Sequence, residues 1–130
     1  MKISLVIAML FSAASAMAFD AKKEFSTNCA ACHSIGGGDK TGPDLAGVTE
    51  RRDEKWLIKF IQYAPGMIDG DPEDEEYKTP DPLAVKIYKA YKPIKMAEQM
   101  LEPEQIKKLL AYIKEQSKGK TAKGKILKIK

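Results

Sequence analysis

Cys29-Ala30-Ala31-Cys32-His33 gathers both cysteines and the single histidine of a 130-residue chain into five consecutive positions. Two cysteines three apart on a helical turn face the same side. Each sulfur can then form a thioether with one of two haem vinyl groups, and the adjoining imidazole can bring a nitrogen over the iron, which is the pattern of c-type haem attachment. A covalently held haem would also place a large apolar disc at the centre of a domain too small to build a generous core of its own. Two other chemistries use the same residue types. A structural or redox disulfide suits an exported chain, but a thioredoxin-like site would need βαβ patterning around it, and that is absent. A zinc site would have three donors crowded into one stretch and no distant fourth. Multi-histidine metal centres, four-cysteine zinc ribbons and iron–sulfur clusters within one chain are excluded by the same count.

Upstream of the motif, Lys2 precedes an almost unbroken apolar run, Ile3 to Phe11, and Ala16-Met17-Ala18 offers small residues where signal peptidase cuts. The expectation is a signal peptide over residues 1–18, cleaved after Ala18, and a soluble exported protein in the periplasm. The run is shorter than the roughly 20 apolar residues that span a bilayer. Removing 18 of 130 residues leaves 112, and losing Lys2 lowers the formal charge from +4 to +3. The remaining charge is divided unevenly. Residues 118–130 carry six lysines and no acid, so the body from Phe19 to Ser117 is left with −3. The expected organisation is one domain over 19–117 and a basic, mobile tail over 118–130, where Ile126, Leu127 and Ile129 are too few to bury unaided.

Between the motif and the tail the apolar spacing is helical. Asp20 can cap a helix that runs through the cysteines, with Phe25 one turn before Cys29. Asp53 to Ala64 sets Trp56, Leu57, Phe60, Ile61 and Ala64 on one stripe, and Pro65-Gly66 is expected to stop it. Asp81-Pro82 is a cap followed by proline at the first helical position, opening a third helix with Leu83, Val85, Ile87, Tyr88 and Tyr91 before Pro93. Glu102-Pro103 opens the last, with Ile106, Leu109, Leu110 and Ile113 on one face. Period-two alternation is confined to the final Lys-Ile-Leu-Lys-Ile-Lys, which is too short to define a sheet, so the fold class is all-α. Asp69 to Glu76 holds six acids in eight residues. It reads as a solvated insertion before the third helix, with a metal-binding or partner-docking patch as the functional alternative.

The order of landmarks resembles the class I (mitochondrial-type) monohaem cytochrome c family of bacterial periplasms. Its members run CxxCH, a glycine-rich loop, GPxL, a middle helix, and a methionine ahead of a last helix with an aromatic near its end. Here these are Cys29 to His33, Gly36-Gly37-Gly38, Gly42-Pro43-Asp44-Leu45, Trp56 to Tyr63, Met96, and Glu102 to Gln116 with Tyr112. The resemblance implies a small cytochrome c-like helical fold wrapped around one covalently attached haem c. It implies that the Pro43 carbonyl accepts a hydrogen bond from the His33 ring nitrogen facing away from iron, that Leu45 packs on the haem face, and that Arg51, Arg52 or Trp56 approaches a propionate. It also implies a methionine as sixth ligand opposite His33, favouring Fe(II) relative to bis-histidine ligation. Met96 stands at the family's ligand position. Met100 is the alternative if the intervening segment is helical, and Met67 is the third candidate. Many relatives follow the ligand with proline, whereas Ala97-Glu98-Gln99 follows here, so this segment is expected to be partly helical.

With no acid–base pair or nucleophile in view, enzymatic activity is not indicated. The family reading is a periplasmic electron-transfer protein, monomeric and without a nucleic-acid partner. Its redox partners would be an upstream dehydrogenase or quinol-oxidising complex and a downstream oxidase or reductase. The lysine tail can steer it toward an acidic partner or an anionic membrane surface, an attraction that fades beyond a Debye length of about 8 Å at physiological salt. A dedicated haem subunit of one redox enzyme and a haem-based ligand sensor are the other readings.

Overall fold

A computed structural model describes residues 18–130; the expected signal peptide lies, except for Ala18, outside the described residues. Helices carry the architecture, and no strand is present among those residues. None of the helices described is long and apolar enough to cross a membrane.

The first helix, α1 (Ala21–Glu24), starts where the Asp20 carboxylate accepts from Lys23 N–H at 3.0 Å. It widens into a π-helical turn, Phe25–Cys29, that delivers the first cysteine. Such a turn inserts a residue into the helical ladder and often marks a functional site. After a short α2 (Val48–Arg51), the Asp53 carboxylate caps α3 (Glu54–Asp69) by accepting from Trp56 N–H at 3.0 Å. Asp81 caps α4 (Pro82–Tyr91) by accepting from Ala84 N–H at 2.8 Å. In α5 (Pro103–Gln116), Gln105 Oε1 accepts from Glu102 N–H at 2.8 Å.

Pro65 does not end α3 as the sequence leads one to expect. Tyr63 leaves helical geometry (φ −147°, ψ 70°), the chain bends, and helix resumes through Pro65 to Asp69. Proline has no N–H to give the Ile61 carbonyl one turn back. That carbonyl accepts instead from Gln99 N–H, at 3.2 Å, in the segment before α5. The bend also tucks the Tyr63 ring against Gly66, where any Cβ would overlap it. The true stop is Gly70, at φ +80°.

Packing places α1 and α5 together, with Phe25 and Tyr112 ring centroids 5.8 Å apart. Ile106, Leu109, Leu110 and Ile113 of α5 are buried there with Leu57 and Ile61 of α3. Each such side chain is worth about 1.5–3 kcal/mol when removed from water. A second cluster gathers Ala64, Met67, Ile68, Tyr77 and Ala84 beyond the bend. The acids of the inserted loop serve as its own turn caps: Asp71 accepts from Glu73 N–H and Asp74 from Glu76 N–H.

The last segment departs from expectation. Residues 118–130 are not a free arm: Ala122, Ile126 and Ile129 are buried at 5%, 5% and 8% exposure. A 3₁₀ turn, Lys125–Lys128, sets Ile126 against Ile87 and Tyr91. Two isoleucines are few for an independent core, but Ile126 and Ile129 suffice against a surface that α4 already provides, while Leu127 stays 51% exposed.

Candidate haem site

The π-helical turn and the bends after it bring Cys29, Cys32 and His33 to one wall of an apolar cleft. Neither cysteine is in a disulfide; Cys29 is buried and Cys32 exposed. Burial, with the nearby Glu24 carboxylate, pushes the Cys29 thiol up to about 11.

His33 is held from behind. Its Nδ1–H donates to the Pro43 carbonyl at 2.9 Å, which leaves Nε2 with its lone pair. Burial, only partly opposed by that hydrogen bond, lowers the imidazole's pKa and keeps the ring neutral, the form that binds a metal. Gly42 lies directly beneath it: a Cβ there would stand 2.5 Å from His33 Cε1. Gly42 N–H in turn donates to Cys32 O at 2.8 Å, closing the loop on the motif.

Asp44 organises this loop, a role its sequence position did not reveal. Its side chain is fully buried, and its carboxylate accepts from the N–H groups of Gly36 (2.7 Å), Gly38 (2.8 Å), Ala46 (3.0 Å) and Lys123 (3.1 Å). Burial alone would raise its pKa. The four donors outweigh burial and hold the carboxyl below its ordinary value.

Met96 lines the same cleft, together with Leu45, Trp56 and Leu109. The expectation of helix around it is not met: residues 94–102 are extended and irregular. Their ties to α3 are Gln99 N–H to Ile61 O, Gln62 Nε2 to Leu101 O at 3.3 Å, and Lys95 to Asp69 at 2.5 Å. Without a helix, Met100 does not share the face of Met96. It is 91% exposed and outside the cleft, while Met67 is buried in the second cluster.

The arginines and Trp56 divide their donors. Trp56 stacks on Phe60 with centroids 5.0 Å apart and gives its indole N–H to Asp81 at 3.1 Å, so that donor is not free for a propionate. Arg52 donates to the Ile129 carbonyl at 2.8 Å. Arg51 gives its two terminal nitrogens to the Ala46 and Asp44 carbonyls and keeps a buried Nε without a partner.

An apolar cleft lined by two cysteines, a neutral back-supported imidazole beside them and a thioether is a haem seat. The cytochrome c family model matches residues 18–117, and the chain belongs to that family. A similar solved structure is the cytochrome c domain of the PP3183 protein from Pseudomonas putida, with 26% identity, a TM-score of 0.56, and coverage of 76% of this chain and 89% of that one. No curated protein matches the sequence significantly. Haem c is therefore the cofactor, joined through the CxxCH cysteines Cys29 and Cys32, and the family's chemistry is haem-based electron transfer.

Proposed function

We propose that this is a periplasmic single-haem electron carrier whose iron is held between His33 and Met96. The observation that carries the ligand assignment is positional: among the described residues, Met96 is the methionine that shares the cleft with His33. The haem supplies a one-electron Fe(III)/Fe(II) couple. The chain's part is to hold and shield. Cys29 and Cys32 fix the ring, the Pro43 carbonyl orients His33 and raises its basicity, and Leu45, Trp56 and Leu109 keep water from the faces. The unpartnered Arg51 Nε–H is the donor left for a propionate.

Export to the periplasm is supported by the signal-like pattern of residues 1–18. Transfer partners are an upstream dehydrogenase or quinol-oxidising complex and a downstream oxidase or reductase. Ile94, 62% exposed and at the lip of the cleft, offers such partners an apolar contact beside the haem. The exposed lysines of the tail add charge attraction toward acidic surfaces.

Met96→Ala is expected to abolish the sulfur-to-iron charge-transfer band of the oxidised protein and to lower the potential, while Met100→Ala leaves both unchanged. The reverse outcome rejects Met96 as ligand. A reduced-minus-oxidised spectrum and an intact mass on periplasmic protein test haem count, cleavage and export together. A carbon monoxide adduct forming readily on the reduced protein at neutral pH would favour a ligand sensor instead.

A further inference from the structure

The family match ends at residue 117, yet Ile126, beyond it, lines the cleft. Three backbone contacts fasten this segment to the histidine side of the molecule. Lys123 N–H donates to Asp44 at 3.1 Å, Lys125 N–H to Asp39 at 2.9 Å, and the Ile129 carbonyl accepts from Arg52 at 2.8 Å. Asp39 is itself fixed by the Tyr91 hydroxyl, which donates to it at 2.9 Å. Between the first two contacts the chain turns at Gly124, with φ +113°, and a Cβ there would collide with the Asp39 carboxylate. The latch leads to Ile126, which is 5% exposed and lines the same cleft as His33 and Met96.

The segment carries charge outside and apolar side chains inside. All six of its lysines are exposed, whereas Ala122, Ile126 and Ile129 face inward. Lys123 and Lys125 hold the latch through their backbone N–H groups, and the Lys125 ammonium adds a bond to the Ala90 carbonyl at 2.7 Å and lies over the Tyr91 ring, so both are left unchanged in the test below. A segment selected only as a charged arm would need neither the buried residues nor the glycine beneath Asp39.

We propose that residues 118–130 form a wall of the haem cleft, with Ile126 as a positioning residue that keeps water from the ring edge beside α4 and so holds the reduction potential up. The proposal rests on the haem occupying the cleft between His33 and Met96. Fe(III) carries one more positive charge than Fe(II), so admitting water at the ring edge favours the oxidised form and lowers the potential. The lysines act in the same direction through space, but salt screens exposed charges within about 8 Å at physiological ionic strength. Salt therefore separates the two effects.

The test uses the intact holoprotein and measures potential at low and high salt. Ile126→Ser, which changes no charge, is expected to lower the potential equally at both. Replacing Lys118, Lys120 and Lys128 together by Gln is expected to lower it at low salt only. Gly124→Ala, which opens the latch, should reproduce the Ile126→Ser shift and speed tryptic release of the tail. Where a variant does not assemble, trypsin applied to the folded, haem-loaded parent releases the segment after assembly; because its lysines leave with it, the expected fall is larger at low salt, and the part due to Ile126 persists at high salt. The proposal is overturned if removing or unlatching the segment leaves the potential at the parent value, or if the whole shift disappears at high salt. A failure of the Met96 assignment shows separately, in the spectra of the methionine variants, and leaves the salt comparison readable whichever sulfur holds the iron.

Discussion

The two sides of the haem cleft are built differently. On the histidine side, one buried carboxylate gathers four N–H donors, Gly42 closes onto Cys32, and Pro43 holds the imidazole. On the methionine side, residues 94–102 run without regular structure and carry exposed Ile94 and Met100. The difference teaches that the histidine side is set mainly by hydrogen bonds within its own loop, closed by one from Lys123, whereas the methionine side borrows its shape from α3. Strain introduced on the first should damage the whole seat; strain on the second should stay local.

The largest effect is expected from Asp44→Ala. It strands four N–H donors on two segments at once, three of them partly buried and that of Ala46 buried, and a buried donor left unpaired costs about 1–3 kcal/mol. A loss of at least about 3 kcal/mol in denaturant unfolding of the holoprotein is the expected reading. A loss under about 1 kcal/mol would mean that water replaces the carboxylate and that the loop is not organised by it. Gly42→Ala comes next, at about 1–3 kcal/mol for forcing a methyl into filled space. Because the crowded atom belongs to His33, the Soret spectrum should change along with stability. An unchanged spectrum would show that the imbalance between the two sides is overstated.

Acid offers a reversible form of the first experiment. A carboxyl whose folded pKa is depressed contributes stability that is present above its unfolded pKa, near 4, and is lost as pH falls through the lower folded value. Stability should therefore decline below about pH 4, and Asp44→Asn should be less stable at neutral pH and show a flatter decline. The smallest effect is expected on the methionine side. Gln62→Ala removes one side-chain hydrogen bond to Leu101 and should cost about 1 kcal/mol or less. Its signature is faster amide exchange confined to residues 94–102, with the histidine loop unaffected.

What the sequence revealed follows the same division between local and distant causes. The cysteine–histidine stretch and the caps at Asp20 and Asp81 were legible because each acts on residues within one turn. Pro65 looked like a stop because the chain that relieves it, at Gln99, is far away in sequence. Asp44 stood inside a familiar motif, but its donors come from positions 36, 38, 46 and 123, and no local pattern announces them. The tail looked soluble and free because Ile126, Leu127 and Ile129 count for little until the face of α4 that receives Ile126 and Ile129 is known; Leu127 does stay 51% exposed. Met96 and Met100 stand four positions apart, and only the absence of helix between them separates the one in the cleft from the one in solvent.

The acceptor that Pro65 leaves vacant on Ile61 gives the methionine segment a mooring on the near side of the bend in α3. Everything from Gly70 to Pro80 leaves the helix on the far side. The acidic loop can therefore lengthen or shorten, as surface loops tend to do, without shifting that mooring, although Lys95 also reaches Asp69 on the far side. A residue usually noted for interrupting helices serves here to supply an anchor for another excursion of the chain.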